Sequence, residues 1–171
     1  PYIAFRDGAL GNGTTVMRRI GTTWEFMGGG AAFLAQPNED LQLEVSAAGD
    51  VYLAYRDVEW DGSFGKGVCK DEVWDTVWPA PCPHATAIKV TRDSWWYLGE
   101  RGAISKGEAQ RLSMALNSEG NPLVSFRDCY DGVGCPTGNA TIRYFNPNYN
   151  SGMPPTWYDF GWQHSTNLGF Q

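Results

Sequence analysis

The sequence predicts an all-β chain built from tandem four-stranded antiparallel units. Three observations predict it. A seven-residue run recurs as PYIAFRD at 1–7, VYLAYRD at 51–57 and PLVSFRD at 122–128. Around these copies stand short apolar-polar alternations closed by Gly with Asp or Asn, the pattern of strands joined by tight turns. Aromatics make up 14% of the chain and Gly contributes 21 residues, while no stretch combines a 3.6-residue apolar period with helix caps.

The elements follow in order. Strand A is the alternating LQLEV type, in LQLEVSAAGD (41–50) and LSMALNSEGN (112–121). The closing Gly-Asp or Gly-Asn turns the chain into strand B, the VYLAYRD type, which is apolar almost throughout, as a strand covered on both faces should be. Strand C is TTVMRRI (14–20), ATAIKV (85–90) and ATIRYF (140–145). Strand D is the TWEFMG type and carries a Trp followed four residues later by Gly: Trp24 and Gly28, Trp95 and Gly99, Trp157 and Gly161. Gly28 to Leu41 and Gly99 to Leu112 are both 13 positions, and Trp24 to Asp57 and Trp95 to Asp128 are both 33. Two ungapped stretches with matching landmarks mark an internal repeat.

Residues 1–40 therefore read as an incomplete unit (strands B, C and D) with its connection. Residues 41–111 read as a whole unit with an insert at 58–84, and residues 112–171 as a third unit truncated after strand D. Strands of five to seven residues in units of about 50 match the blades of β-propellers, and the chain resembles propeller repeats of the broad kelch-like and sialidase-like kind. The resemblance covers the whole chain and rests on strand count, repeat length and the Trp-x-x-x-Gly and aromatic-Arg-Asp landmarks. The sialidase Ser-x-Asp-x-Gly-x-x-Trp box is absent from the sequence, and the Gly-His and Trp-Asp signatures of WD repeats and the Gly-Gly doublet of kelch strands do not recur from unit to unit. What the resemblance implies is a β-propeller-like piece of a larger secreted repeat glycoprotein, with flanking sequence or partner copies covering its two end faces.

A net charge of −6 speaks against nucleic acid, which needs a basic face, and against anionic membranes. No apolar run approaches the roughly 20 residues that span a bilayer. The four cysteines fall in two local pairs, so proximity favours disulfides Cys69–Cys82 and Cys129–Cys135 among the three pairings four cysteines allow. Sequons at Asn12 and Asn139 agree with an oxidising compartment, and an extracellular or cell-surface location is expected.

The units differ mainly in the B–C connection, which takes eight positions from Asp7 to Thr15, 29 from Asp57 to Thr86 and 13 from Asp128 to Thr141. The long insert holds Trp60, Phe64, Trp74 and Trp78, candidates for an aromatic platform under sugar rings or a partner protein. The competing reading is that they cover the insert's own small core. Its prolines in WPAPCP (78–83) favour extended backbone. Asp57, Glu59 and Asp61 before Gly62 resemble alternating calcium ligands, but Val68 stands where an EF-hand needs its closing Glu. No other cofactor is suggested. The pairs Arg6-Asp7, Arg56-Asp57 and Arg127-Asp128 recur at one place in every unit. They read as scaffold, a strand-end salt bridge or turn bond, and so do Trp24, Trp95 and Trp157. His84 and His164 read as residues of separate loops, and no nucleophile motif accompanies them.

The expected function is a non-enzymatic structural or adhesive repeat module. Its partners would be other repeats, other copies or surface glycoproteins. One alternative is a lectin-like propeller that binds glycans; another is a carbohydrate-active hydrolase or lyase using two loop carboxylates.

Overall fold

Successive strand residues face opposite sides of a sheet, so a strand that is apolar on both sides must be covered on both. The computed structural model describes residues 1–35, 38–58, 68–71, 76–81, 83–99, 104–105, 108–129, 139–147 and 156–160, with backbone alone at 68–71, 76–81 and 129. Among these residues there is no α-helix, only one 3₁₀ turn at Gly8–Leu10. The strands form three antiparallel meanders in chain order and one small hairpin.

Sheet 1 is β1 (Tyr2–Asp7), β2 (Gly13–Ile20) and β3 (Thr23–Phe26). Sheet 2 is β4 (Asn38–Val45), β5 (Val51–Asp57), β8 (His84–Val90) and β9 (Trp95–Tyr97). Sheet 3 is β10 (Glu108–Leu116), β11 (Pro122–Cys129), β12 (Asn139–Asn146) and β13 (Thr156–Asp159). In sheet 2 the insert leaves the main meander before β8 and carries its own hairpin, β6 (Val68–Asp71) with β7 (Thr76–Pro81). Pro79 and Pro81 fit there because each strand of a two-stranded sheet has a free edge.

The A–B turns repeat. Ser46 N–H donates to the Asp50 carbonyl at 2.9 Å, and Asn117 N–H to the Asn121 carbonyl at 2.9 Å. Gly49 (φ 87°) and Gly120 (φ 80°) supply the left-handed residue each turn needs. Strands β4 and β10 begin earlier than the alternation suggests, because each contains a bulge. Two residues, Asp40-Leu41 or Arg111-Leu112, lie opposite one on the partner strand. Asp40 (φ 50°) and Arg111 (φ 55°) take the left-handed position at these bulges, a cost of order 1 kcal/mol each for a side chain other than Gly. The two bulges meet: Arg111 N–H donates to Asp40 Oδ2 at 3.1 Å, so the first strands of sheets 2 and 3 run beside one another.

Two apolar cores lie between the sheets. The first joins Val16 and Met27 of sheet 1, with Tyr2 and Ala4 at its margin, to Val51, Leu53, Tyr55, Ile88 and Val90 of sheet 2. The second joins Tyr52, Ala54, Ala85, Ala87 and Leu98 of sheet 2 to Leu112, Met114, Val124, Phe126, Phe145 and Trp157 of sheet 3. Strand β5 therefore contributes Val51, Leu53 and Tyr55 to one core and Tyr52 and Ala54 to the other. The all-β expectation holds: four-stranded antiparallel meanders stack face to face, in the manner of propeller blades.

Candidate functional site

Strands β1 and β5 end on Asp and β11 one residue beyond its Asp128, at the edge where the B–C connections leave. The three Arg-Asp pairs nevertheless sit in different surroundings. Asp7 caps the 3₁₀ turn, its Oδ1 accepting from Ala9 N–H at 3.0 Å, and Arg6 is exposed. Arg56 reaches across the ladder to Glu39, Nη1 to Oε2 at 3.0 Å, instead of to the adjoining Asp57. Arg127 and Asp128 are half-buried.

Asp57 is buried, between Asn38 on β4 and His84 on β8 in the ladder. His84 is not a loop residue, as its sequence context suggests. It opens β8 and is only 2% exposed. Its Nδ1 lies 3.2 Å from the Ser105 carbonyl oxygen and 3.4 Å from Ser105 Oγ. A carbonyl only accepts, so the first contact is a hydrogen bond when Nδ1 carries the proton. Ser105 Oγ in turn accepts from Ala85 N–H at 3.0 Å. Burial pushes the His84 pKa below its ordinary value, while the Ser105 carbonyl and the Asp57 charge pull it back up in part.

Asp57, His84 and Ser105 are the residue types of a hydrolytic triad. Their arrangement does not serve that chemistry. In a triad the nitrogen facing the serine takes its proton and the other is held by the aspartate. Here the nitrogen facing Ser105 also meets that residue's own carbonyl, the hydroxyl holds a backbone N–H, and all three residues are 5% exposed or less. The group works as a latch that ties the connection after β9 onto β8, helped by Ile104 N–H donating to the Ala85 carbonyl at 3.3 Å.

A second polar contact crosses the first core. Asn38 Nδ2 donates to Thr14 Oγ1 at 3.2 Å, and both side chains are buried. At the far end of sheet 2 lies a group at the surface: Lys89 pairs with Asp50 at 2.7 Å and sits over the rings of the buried Tyr52 (5.7 Å) and the exposed Trp96 (6.0 Å). Burial raises the Tyr52 phenol's pKa, with Lys89 opposing and Asp50 adding to the shift.

Two of the three strand-D landmark tryptophans pack across the junctions. Trp157 is buried in the second core, and its Nε1 donates to the Leu98 carbonyl of sheet 2 at 2.6 Å. Trp95 lies 6.1 Å from Phe33, which follows sheet 1, and edge-on to Tyr97 at 5.2 Å. Trp24, on the free side of sheet 1, is 39% exposed. The Gly four residues on has a reason: Gly28 (φ 76°) would place a Cβ 2.7 Å from the Phe33 ring. Gly99 has φ 82°. Gly161 lies outside the described residues.

Trp60, Phe64, Trp74, Glu59, Asp61, Cys82, Cys135 and His164 also lie outside the described residues. Trp78 and Cys69 are described only as backbone of β7 and β6, and Cys129 as backbone of β11, so both disulfide pairings fall outside too. Asn12 and Asn139 are exposed. Among the described residues no three His, Cys, Asp or Glu side chains are grouped to hold a metal ion, and no helix is long and apolar enough to cross a membrane.

No protein-family model matches the chain, and no curated protein does. Among solved structures, a similar one is a fucose lectin from Kordia zhangzhouensis in complex with methyl-fucoside, at 9% identity and a TM-score of 0.38, covering 94% of this chain and 89% of the lectin chain. At that score the likeness says nothing about this chain's ligand.

Proposed function

We propose that the chain is a non-enzymatic module that works by contact, a structural or adhesive repeat unit of an extracellular assembly. One observation carries this reading. The buried polar group Asp57, His84 and Ser105 is locked into the scaffold, whereas five of the eight exposed large hydrophobic side chains among the described residues lie on the outer sides of sheets 1 and 3. Ile3, Trp24 and Phe26 stand on the first, Ile142 and Phe160 on the second. Exposed apolar area concentrated on sheet faces marks contact surfaces more than catalytic ones. The test pairs two measurements: retention of purified surface glycoproteins, or of the chain itself, on the immobilised chain, and product release from polysaccharides incubated with it. Retention without product is expected; polysaccharide turnover would sink the reading.

A second reading, glycan binding by the insert, is favoured by the three Trp at 60, 74 and 78 within one B–C connection. Binding on a glycan array that disappears with Trp60→Ala or Trp74→Ala would favour it over protein contact.

A further inference from the structure

We propose that the two outer sheet faces are the two halves of one interface, and that a second copy of this chain docks head to tail across them. The proposal rests on the contact-module reading and names its partner.

The repeat makes the faces comparable position by position. Laying PYIAFRD over VYLAYRD pairs Ile3 with Leu53 and Phe5 with Tyr55. Leu53 and Tyr55 form the side of sheet 2 that packs on sheet 1, so the outer side of sheet 1 is the same kind of face, here with Ile3 exposed on it. Laying PLVSFRD over VYLAYRD pairs Leu123 with Tyr52, which lies on the side of sheet 2 that packs on sheet 3. The outer side of sheet 3 is thus the complementary face. Each internal junction joins one face of each kind, and among the described residues one face of each kind is exposed.

Single positions show the same thing. Met27, Leu98 and Phe160 each precede the glycine of their Trp-x-x-x-Gly landmark. Met27 and Leu98 are 4% and 5% exposed, each within a junction core, whereas Phe160, with no sheet beyond it among the described residues, is 60% exposed. The landmark tryptophans mirror this. Trp157 bonds the carbonyl of Leu98 in the preceding sheet, whereas Trp24, on a face that no described sheet covers, is 39% exposed. Docking head to tail would set Trp24 Nε1 against the Phe160 carbonyl of the second copy, the equivalent of Leu98, and cover both side chains. Around Phe160 the open face is already ordered as an aromatic ladder: Tyr144 stacks on Tyr158 at 5.5 Å and meets Phe160 edge-on at 6.2 Å. Such contact is heterologous, so it gives rings if the rotation closes and filaments if it does not.

The test is the mass of the 171-residue chain in solution as a function of concentration, for the unaltered chain, Trp24→Lys and Phe160→Lys, each checked for its circular dichroism. Both substitutions are at exposed positions and should leave the fold intact. The expected result is concentration-dependent association of the unaltered chain, monomers for each variant alone, and a 1:1 dimer when the two variants are mixed, since each keeps one good face. Hydrogen exchange on the unaltered chain needs no variant and should show amides of β3 and β13 gaining protection together as concentration rises. A monomer at all concentrations overturns the proposal. So does association that survives in each variant alone, or protection confined to one of the two strands. A monomeric chain that still binds glycoproteins would sink this proposal and leave the contact-module reading standing; polysaccharide turnover would do the reverse.

Discussion

The two internal junctions are built on the same repeat but are filled differently. At the first, sheet 2 presents large side chains, Val51, Leu53, Tyr55 and Ile88, and sheet 1 meets them with Val16, Met27, Tyr2 and Ala4. At the second, sheet 2 presents Tyr52 and Leu98 together with three small residues, Ala54, Ala85 and Ala87, and sheet 3 fills the space with Phe126, Phe145, Trp157 and Met114. More of the bulk comes from the neighbouring sheet there, while the layer is kept. Close packing constrains total volume across an interface, not which partner supplies it. The polar seam differs too. Thr14 and Asn38 hydrogen-bond across the first junction, and the equivalent positions at the second are Ala85 and Ala109, both fully buried.

Four substitutions would break or sharpen that contrast. The largest effect is expected for Trp157→Ala, which empties an aromatic site and strands the Leu98 carbonyl; a loss of about 3–5 kcal/mol should appear in urea unfolding. Trp24→Ala, at the same landmark on the open face, should stay within about 0.5 kcal/mol for the dissociated chain. Next come opposite volume changes on the two sides of sheet 2. Leu53→Ala should cost about 2–5 kcal/mol by leaving a cavity, and Ala87→Leu about 1–3 kcal/mol by overpacking. Equal costs for Leu→Ala and Ala→Leu changes on each side would show that the junctions are not specialised.

The polar seam gives a smaller effect. Asn38→Ala alone should cost about 1–3 kcal/mol, because it leaves a buried Thr14 hydroxyl unsatisfied. Adding Thr14→Ala copies the alanine pair of the second junction and should recover part of that loss. A double variant no better than Asn38→Ala would show that the two junctions cannot exchange chemistry.

The smallest effect is in pH. The His84 pKa is lowered in the folded chain, so the unfolded chain binds the proton more readily. His84's contribution is therefore complete above the ordinary histidine value of 6.5 and is lost as pH falls from there toward the lowered folded value. His84→Asn, which installs the residue found at the matching place in sheet 3 (Asn139), should flatten the unfolding free energy across that window, whatever it does to stability at neutral pH. An unchanged slope would mean another group is responsible.

Much of the fold was legible because strand alternation and the repeat state the same thing twice. VYLAYRD reads as buried on both faces, and β5 is. The early starts of β4 and β10 were not legible, since a bulge inserts one residue and breaks the alternation at Asp40 and Arg111. The β6–β7 hairpin was hidden for a related reason: its proline-rich second strand carries no period-two signal. The His84–Ser105 latch was invisible because it joins residues 21 positions apart through a connection with no pattern of its own. A small buried serine in such a segment leaves no compositional trace.

Every unit closes its B–C connection on the same kind of ladder pair: Asp7 with Gly13, Asp57 with His84 and Asp128 with Asn139. Between those pairs the chain inserts residues 8–12, 58–83 or 129–138 and resumes the ladder in register. Closure entropy grows only with the logarithm of loop length, so going from the shortest of these to the longest costs about 1.5 kcal/mol. The closing pair thus behaves as a socket. Foreign segments grafted at 58–83 should be carried without rewriting the strands, and new binding specificities could be installed by exchanging loops alone.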